Sequence, residues 1–373
     1  MTGDLRIIAV TDPGCEEACA AETARILARD TRTRRNLVEL TGSWEDAAIL
    51  AYRSQTALRV LVAIAPAARD LDDLTAHPPD KGVIAAAVPS DGTFKAIGEL
   101  FDTAPQEFVE RIGAWVHGTG VPVNLSRPDV TIVGVATPDG IDAGIDVIGL
   151  PLAKRDWRVM LSSRSIKGTI AASAAVYADL RAGHTVLDPF GDDGSLAIEA
   201  AMLLSGTSPR AFTRSFAFTR FPILGGFDWP TRKKRIDDGA EPGSPVIALS
   251  DTLRDLKAIR TNAKLAGVDV HSTKVALDWV DLKLSNKSID RILTAPITSG
   301  KVISQQRAKK LVDRLFDQAA VILRDGGTVT CVTDKPEELD DAAARHGFEM
   351  ARRHDVRMGE RRLAIVTFGA ERQ

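Results

Sequence analysis

The sequence predicts an α/β protein whose C-terminal part is a doubly wound, mainly parallel sheet of about seven strands, preceded by two smaller α+β domains. Three observations carry this. From about Lys154 onward, short apolar runs alternate with amphipathic helical runs, the pattern of βα units on a parallel sheet. The last two runs, inside "FEMARRHDVRMGERRLAIVTFGA", have no helix between them and predict an antiparallel finish. Before Lys154 the order is strand, helix, strand, helix, strand, then a looser α/β segment. The expected boundaries are 1–65, 66–152 and 153–373.

Composition narrows the class. Of 373 residues, 44% are hydrophobic and 26% charged, an ordinary globular balance. The formal net charge is -2, so there is no global basic field and any nucleic-acid contact must come from local patches. No apolar run reaches membrane-spanning length, and "MTGDLRIIAVTDPG" has no basic segment leading into an apolar one, so a cytoplasmic protein is expected. Cys15 and Cys19 share a helix face but have no further ligands nearby, which makes them apolar fillers, and no metal is expected.

Along the chain, "DLRIIAVTDPG", "NLVELTG" and "ALRVLVAIAPA" read as strands. Between them lie helices at "CEEACAAETARILARD" and at "WEDAAILAYRS", the second capped by Ser43. That order suggests a ferredoxin-like unit. Next come a strand at "KGVIAAAVPS", a helix at "PQEFVERIGAWVHGTG" and a hairpin turning at Pro138–Gly140. The C-terminal part then runs through the helix "KGTIAASAAVYADL", the strand "TVLDPF", and the helix "SLAIEAAMLLSG", closed by Gly206. It continues with the strand "PVIALS", the helix "LRDLKAIRTNAKLAG", and strands at "STKVAL" and "IDRILTAP". The long helix "RAKKLVDRLFDQAAVILRDG", the strand "GTVTCVTD" and the helix "PEELDDAAARHG" precede the final hairpin.

The chemistry centres on "TVLDPFGDDGSLAIEAAMLL", where a strand enters a glycine-and-acid loop and leaves as a helix. Such a helix start offers unpaired N–H groups to an anionic or nucleotide-like ligand. A calcium loop fits poorly, because Phe190 stands at its third position and Asp193 where its turn needs glycine. Neither G-x-G-x-x-G nor a P-loop lysine is present. A plain strand–helix turn with solvated acids is the remaining alternative.

"LDPFGDDGSLAIEAA" resembles the D-P-[FM]-C-G-[ST]-G-T-x-x-I-E-A-A signature of S-adenosylmethionine-dependent RNA methyltransferases with a THUMP domain. "RSIKGTIAASAA", "RDLKAIRTNAKLAGVD" and the aromatic and basic insertion "FTRSFAFTRFPILGGFDWPTRKKR" resemble further parts of its guanine-N2 branch, so the likeness covers essentially the whole chain. The resemblance implies a Rossmann-like methyltransferase domain behind ferredoxin-like and THUMP-like domains, and methyl transfer to guanine N2 of rRNA or tRNA. Asp188, Pro189, Phe190 and Gly194 would line the methionine side of the cofactor. Asp251, or Ser250 beside it, would face the ribose hydroxyls. Asp278 would meet the adenine amino group, with Trp279 beside the ring.

Three departures stand out. Gly191, Asp192 and Asp193 replace the family's Cys-Gly-Ser/Thr, placing negative charge near the methionine carboxylate unless these acids point away. Ser250-Asp251-Thr252 replaces D-x-D. Ala295, Pro296, Ile297 and Thr298 occupy the slot of [ND]-P-P-[YF], removing both the acceptor for the reacting amine and the stacking ring.

The expected partner is structured RNA, with neither membrane nor DNA. Candidate contacts are Arg155 and Arg158 in "KRDWR", Arg214 and Arg220, and Arg232, Lys233, Lys234 and Arg235 in "TRKKR". The neighbouring Phe216, Phe218, Phe221, Phe227 and Trp229 are either base-stacking groups or core. Two functions follow: an RNA methyltransferase with an unusual active site, or an inactive RNA-binding factor of RNA maturation.

Overall fold

In "LRIIAVT" a run of β-branched residues forms a strand buried on both sides, and the N-terminal architecture grows around it. The computed structural model describes residues 4–102, 104–299 and 303–370. The chain divides into two units. The first contains residues up to Ala153 together with Arg210–Ile236, and the second contains Lys154–Pro209 and the residues from Asp237 onward.

In the first unit seven strands form one sheet: β1 (Leu5–Thr11), β2 (Arg32–Arg34), β3 (Leu37–Gly42), β4 (Ala57–Ala63), β5 (Phe94–Leu100), β6 (Val130–Thr137) and β7 (Gly140–Asp146). Their order is β2-β3-β1-β4-β7-β6-β5. Only β5 and β6 run parallel; β4 joins β7 antiparallel, Leu61 opposite Asp146, so the two small segments expected to be separate domains share a sheet. The helix Trp44–Arg53 starts at the expected cap: the Ser43 side chain accepts from Asp46 N–H and the Asp46 carboxylate accepts from Ser43 N–H.

Two readings of this unit change. "KGVIAAAVPS" contains a helix, Lys81–Ala87, because the Asp80 carboxylate accepts from Val83 N–H and starts it. Phe94–Leu100 is a strand that the alternation does not announce, since Lys95, Gly98 and Glu99 break its apolar pattern.

The insertion, counted with the C-terminal domain on sequence, packs in the first unit. Phe216, Phe218, Phe221, Leu224 and Trp229 are buried in the same core as Tyr52 and Trp44. Trp229 meets Tyr52 edge-on at 5.0 Å and Phe218 at 4.8 Å. Arg210 anchors the entry by donating to the carbonyls of Tyr52 and Ser54. These aromatics are core, at roughly 1.5–3 kcal/mol of burial each, which settles their role against base stacking. The basic run lies on the helix Trp229–Asp238.

The second unit carries β8 (Val186–Asp188), β9 (Val246–Ser250), β10 (His271–Lys274), β11 (Ile289–Thr294), β12 (Leu323–Thr333), β13 (Phe348–Met358) and β14 (Arg361–Ala370). The order is β10-β9-β8-β11-β12-β14-β13, parallel from β10 to β12 and antiparallel thereafter. This is the expected doubly wound sheet. After β10 the chain returns to the other side of β8, so the strand order reverses between β8 and β11. A ligand crevice opens at the carboxyl ends of the strands at such a point.

Candidate functional site

Residues 189–194 join β8 to the helix Ser195–Ser205. The turn is tight: Gly191 has φ +28°, and a Cβ there would lie 2.4 Å from the Leu249 carbonyl oxygen. Gly194 caps the helix with φ +84°. At the end of β8 the Asp188 carboxylate is buried, and its Oδ1 accepts from Thr294 Oγ1 at 2.6 Å and from Phe190 N–H at 3.2 Å. Burial pushes this carboxyl up to about 6; the two hydrogen bonds oppose the rise, and the Asp192 charge adds to it.

The two loop acids turn toward the segment before the sheet. Asp192, left-handed at φ +47°, accepts from the Ser162 hydroxyl at 2.6 Å and from Arg164 at 3.1 Å. Burial raises its carboxyl, against the pull of Ser162 and Arg164. Asp193 is buried, accepting from the Ser165 hydroxyl at 2.5 Å and Ser195 N–H at 3.0 Å, with Arg158 at 3.8 Å. Asn262 donates to the Asp193 carbonyl at 2.8 Å, tying the loop to the next helix. Between Arg164, Asp188, the loop and Ala295 remains a cavity of about 20 Å³, room for about one water.

Beside it opens a cleft of about 350 Å³, with apolar walls from Phe190, Val275, Leu277, Ile297 and Leu311. Asp251, Asp255 and Asp278 line it, and so do Arg164, Arg307, Lys310 and Arg314. Thr252 caps the helix Leu253–Ala266, which places Asp251 exposed just beyond β9. Asp255 accepts from Ser250 Oγ at 3.3 Å. Arg314 lies 2.9 Å from the Asp278 carboxylate as an ion pair and donates to the Asp278 carbonyl, while the carboxylate stays 70% exposed.

Of the residues the resemblance pointed to, Pro189, Phe190, Asp251 and Asp278 meet in this cleft, while Asp188 and Phe190 border the small cavity. Gly194 lies in the loop without lining either, its Cα side closed by Ile259. Trp279 is 57% exposed and stands outside the cleft lining. In the slot after β11, Ala295 borders the small cavity, Pro296 is buried and Ile297 borders the cleft. The Thr298 hydroxyl donates to Asp334 at 2.8 Å. Gly300, at the end of "TAPITSG", lies outside the described residues.

The basic residues separate. Arg155 is no surface cation: fully buried, it pairs with Glu199 at 2.7 Å inside the second unit. Arg158 is mostly buried near Asp193. Arg214, Arg220, Lys234 and Arg235 are exposed on the first unit. Arg232 is half-buried, and Lys233 donates to the Ala211 carbonyl at 2.8 Å while its ammonium lies 5.5 Å from the Tyr52 ring centre. Sequence reading missed Arg164, whose role depends on a partner 28 residues away. It also missed Arg307 and Lys310, although their spacing with Leu311 and Arg314 in "RAKKLVDR" puts all four on one helix face. Among the described residues no cluster of metal-ligating side chains occurs.

A parallel sheet with its switch at β8 and β11, a strand–loop–helix entry and a cleft at the strand ends define a Rossmann-like methyltransferase domain. Residues 155–364 match the family described as RMKL-like, methyltransferase domain, and the chain belongs to that family. Residues 6–61 match the RlmL ferredoxin-like domain. A tRNA (guanine(6)-N2)-methyltransferase of Methanocaldococcus jannaschii is 26% identical over 64% of this chain and 62% of its own. One from Thermus thermophilus is 36% identical over 30% of this chain and 33% of its own. The ribosomal RNA large subunit methyltransferase K/L of Syntrophotalea carbinolica is 25% identical over 73% of this chain and 40% of its own. The matches thus span between 33% and 62% of these relatives' lengths. Among solved structures, TrmN from Thermus thermophilus superposes with TM-score 0.71 at 22% identity, covering 98% of this chain and 100% of its own. SMU.472, complexed with SAH, gives TM-score 0.76 at 19% identity with full coverage of both chains. These two likenesses concern the fold. No helix among the described residues is long and apolar enough to cross a membrane.

Proposed function

We propose that this chain is a structured-RNA-binding member of the family in which methyl transfer to guanine N2 has been lost. The observation that carries the reading is the slot after β11. Ala295 offers no side-chain acceptor to hold an exocyclic amine, Ile297 and Thr298 offer no ring to stack on a base, and Thr298 is turned to Asp334. Orienting the amine is most of what such a site contributes, and its loss costs orders of magnitude in rate.

The cleft supports the same reading from the cofactor side. The nucleoside part of S-adenosylmethionine suits the apolar walls and the open Asp251 carboxylate. Its methionine part does not suit a cavity of about 20 Å³ lined by the Arg164–Asp192 pair and by Asp193. RNA contact would fall to the exposed Arg214, Arg220, Lys234 and Arg235, with residues 66–152 as a THUMP-like RNA-binding segment. The second reading, retention of the family reaction on rRNA or tRNA, is favoured by the names of the relatives and by the retained Asp251.

Incubation of the purified protein with tRNA and rRNA transcripts and radiolabelled S-adenosylmethionine, beside an electrophoretic shift assay, separates the two. RNA binding without methyl incorporation is expected. Incorporation that disappears in Asp251→Ala overturns the proposal.

A further inference from the structure

We infer that Phe212 is a stacking platform for an unpaired nucleotide of RNA, mounted on the basic insertion of the first unit. The inference deepens the RNA-binding reading above and rests on it. Among the described residues only two aromatic rings are strongly exposed, Phe212 at 66% and Trp279 at 57%. Trp279 stands between Asp278 and Asp281, whose charges repel a phosphate backbone. Phe212 stands between Arg210 and Arg214, in the stretch Arg210–Ile236, which holds seven arginines and lysines and one acid, Asp228. The Asp228 carboxylate accepts from Thr231 N–H at 3.1 Å, at the start of the helix whose last residues are Asp237 and Asp238. Phe216, Phe218, Phe221 and Trp229 of the same stretch are buried, so exposure is particular to Phe212.

The backbone presents this ring and holds it still. Thr213 N–H donates to the Arg210 carbonyl at 3.0 Å, which makes Ala211 and Phe212 the two central residues of a turn. Such positions suit small polar residues, glycine or proline, and a phenylalanine there gains little from burial. The turn is fastened at two points. Arg210 donates to the carbonyls of Tyr52 and Ser54, and Lys233 donates to the Ala211 carbonyl at 2.8 Å while lying 5.5 Å from the Tyr52 ring centre. A ring on a fixed backbone loses little freedom when a base stacks on it.

A lone exposed apolar side chain needs no ligand. Phe212 combines exposure and a fastened turn with uncompensated cations. Arg214 is exposed and has no ion-pair partner among the described residues. Arg53, between the two residues whose carbonyls hold Arg210, is half-buried and also unpaired. Burial and the Arg25 charge lower the pKa of Arg53, and Glu22 offsets them only in part. Glu22 is itself buried and accepts from Ser54, Gln55 and Thr56. A ring for the base and cations for the backbone are how single-stranded nucleic acid is held without sequence readout. A paired duplex has no free base face to offer, so the ligand is a loop, bulge or end.

Fluorescence anisotropy of the full chain with labelled decaadenylate RNA and with a labelled blunt RNA duplex tests this. Phe212→Ala should weaken decaadenylate binding about tenfold. Phe212→Trp should keep or strengthen it, and Phe212→Leu should lose nearly as much as alanine, because leucine keeps apolar area without a π face. The slope of log affinity against log salt should stay that of wild type, since no ionic contact is removed. Duplex affinity should not change. Ile223→Ala, at another exposed apolar position of the insertion, should leave both probes unaffected. Thermal unfolding checks that each variant is folded. A loss below about threefold, a leucine as good as phenylalanine (the mark of an apolar contact to a protein), or an equal loss on the duplex overturns the inference and leaves the RNA-binding reading standing. A wild type that holds a tRNA transcript but not decaadenylate does the same. Failure to bind transcript, duplex and decaadenylate alike overturns both.

Discussion

Asp188 shows how one buried carboxyl couples the loop to pH. Its folded value of about 6 lies above the ordinary 3.8, so the native state binds a proton more tightly than the unfolded chain. The stability this contributes is complete below about pH 4 and is lost as the pH rises through about 6. Asp188→Asn keeps the acceptor for Thr294 and Phe190 but cannot ionise. The stability gap between variant and wild type should therefore grow from near zero at pH 4 to about 3 kcal/mol at pH 7.5. Urea unfolding across that range reads it, and a gap independent of pH disproves the assignment. At the neighbouring positions, Asp192→Gly with Asp193→Ser removes the charge and bulk that engage Ser162, Arg164 and Ser165. Glycine also relieves the left-handed backbone at 192. The double variant should bind S-adenosylhomocysteine at least about tenfold more tightly than wild type by calorimetry; equal affinity would show that these acids do not close the seat.

At the scale of elements, the strand–loop–helix turn depends on one missing side chain. Gly191→Ala sets a methyl group 2.4 Å from the Leu249 carbonyl oxygen at a positive φ, and should lower stability by about 2–4 kcal/mol in thermal or urea unfolding. A loss below about 0.5 kcal/mol would mean the loop rearranges freely. Most elements were legible because their signals are local. Ser43 with Asp46, Thr252 with Asp255, and Gly206 and Gly267 in the left-handed region mark helix ends within four residues of where they act. Lys81–Ala87 escaped because a run of valine, isoleucine and alanine carries no period, and the Asp80 cap decides its form. Phe94–Leu100 escaped because its pairing with β6 holds it extended in spite of its own pattern.

Across each unit, charge serves two purposes that a list of basic residues does not separate. Arg155 and Glu199 form a buried pair, so Arg155→Ala breaks a buried ion pair and should cost about 3–5 kcal/mol of stability while leaving RNA affinity per folded molecule unchanged. Lys234→Gln with Arg235→Gln should do the reverse. Stability should stay within about 0.5 kcal/mol of wild type. RNA affinity should fall, and the slope of log affinity against log salt should lessen by about 1–2. Equal effects of the two variants on binding would refute this division.

The sequence by itself determined the fold class, the parallel sheet with its antiparallel finish, the family and the place of the strand–loop–helix turn after β8. Those follow from period, caps and motifs, which act over a few residues and can be read in a line. Tertiary structure alone decided that Phe216, Phe218, Phe221 and Trp229 of the insertion are core with Tyr52 and that Arg155 is buried on Glu199. It also turned Asp192 and Asp193 toward Ser162–Ser165 and brought Arg307 and Lys310 to the same cleft as Asp251. Each of these joins residues far apart in the chain. Their free energy comes from contacts that exist only once the sheet has assembled, so nothing local in the sequence encodes them.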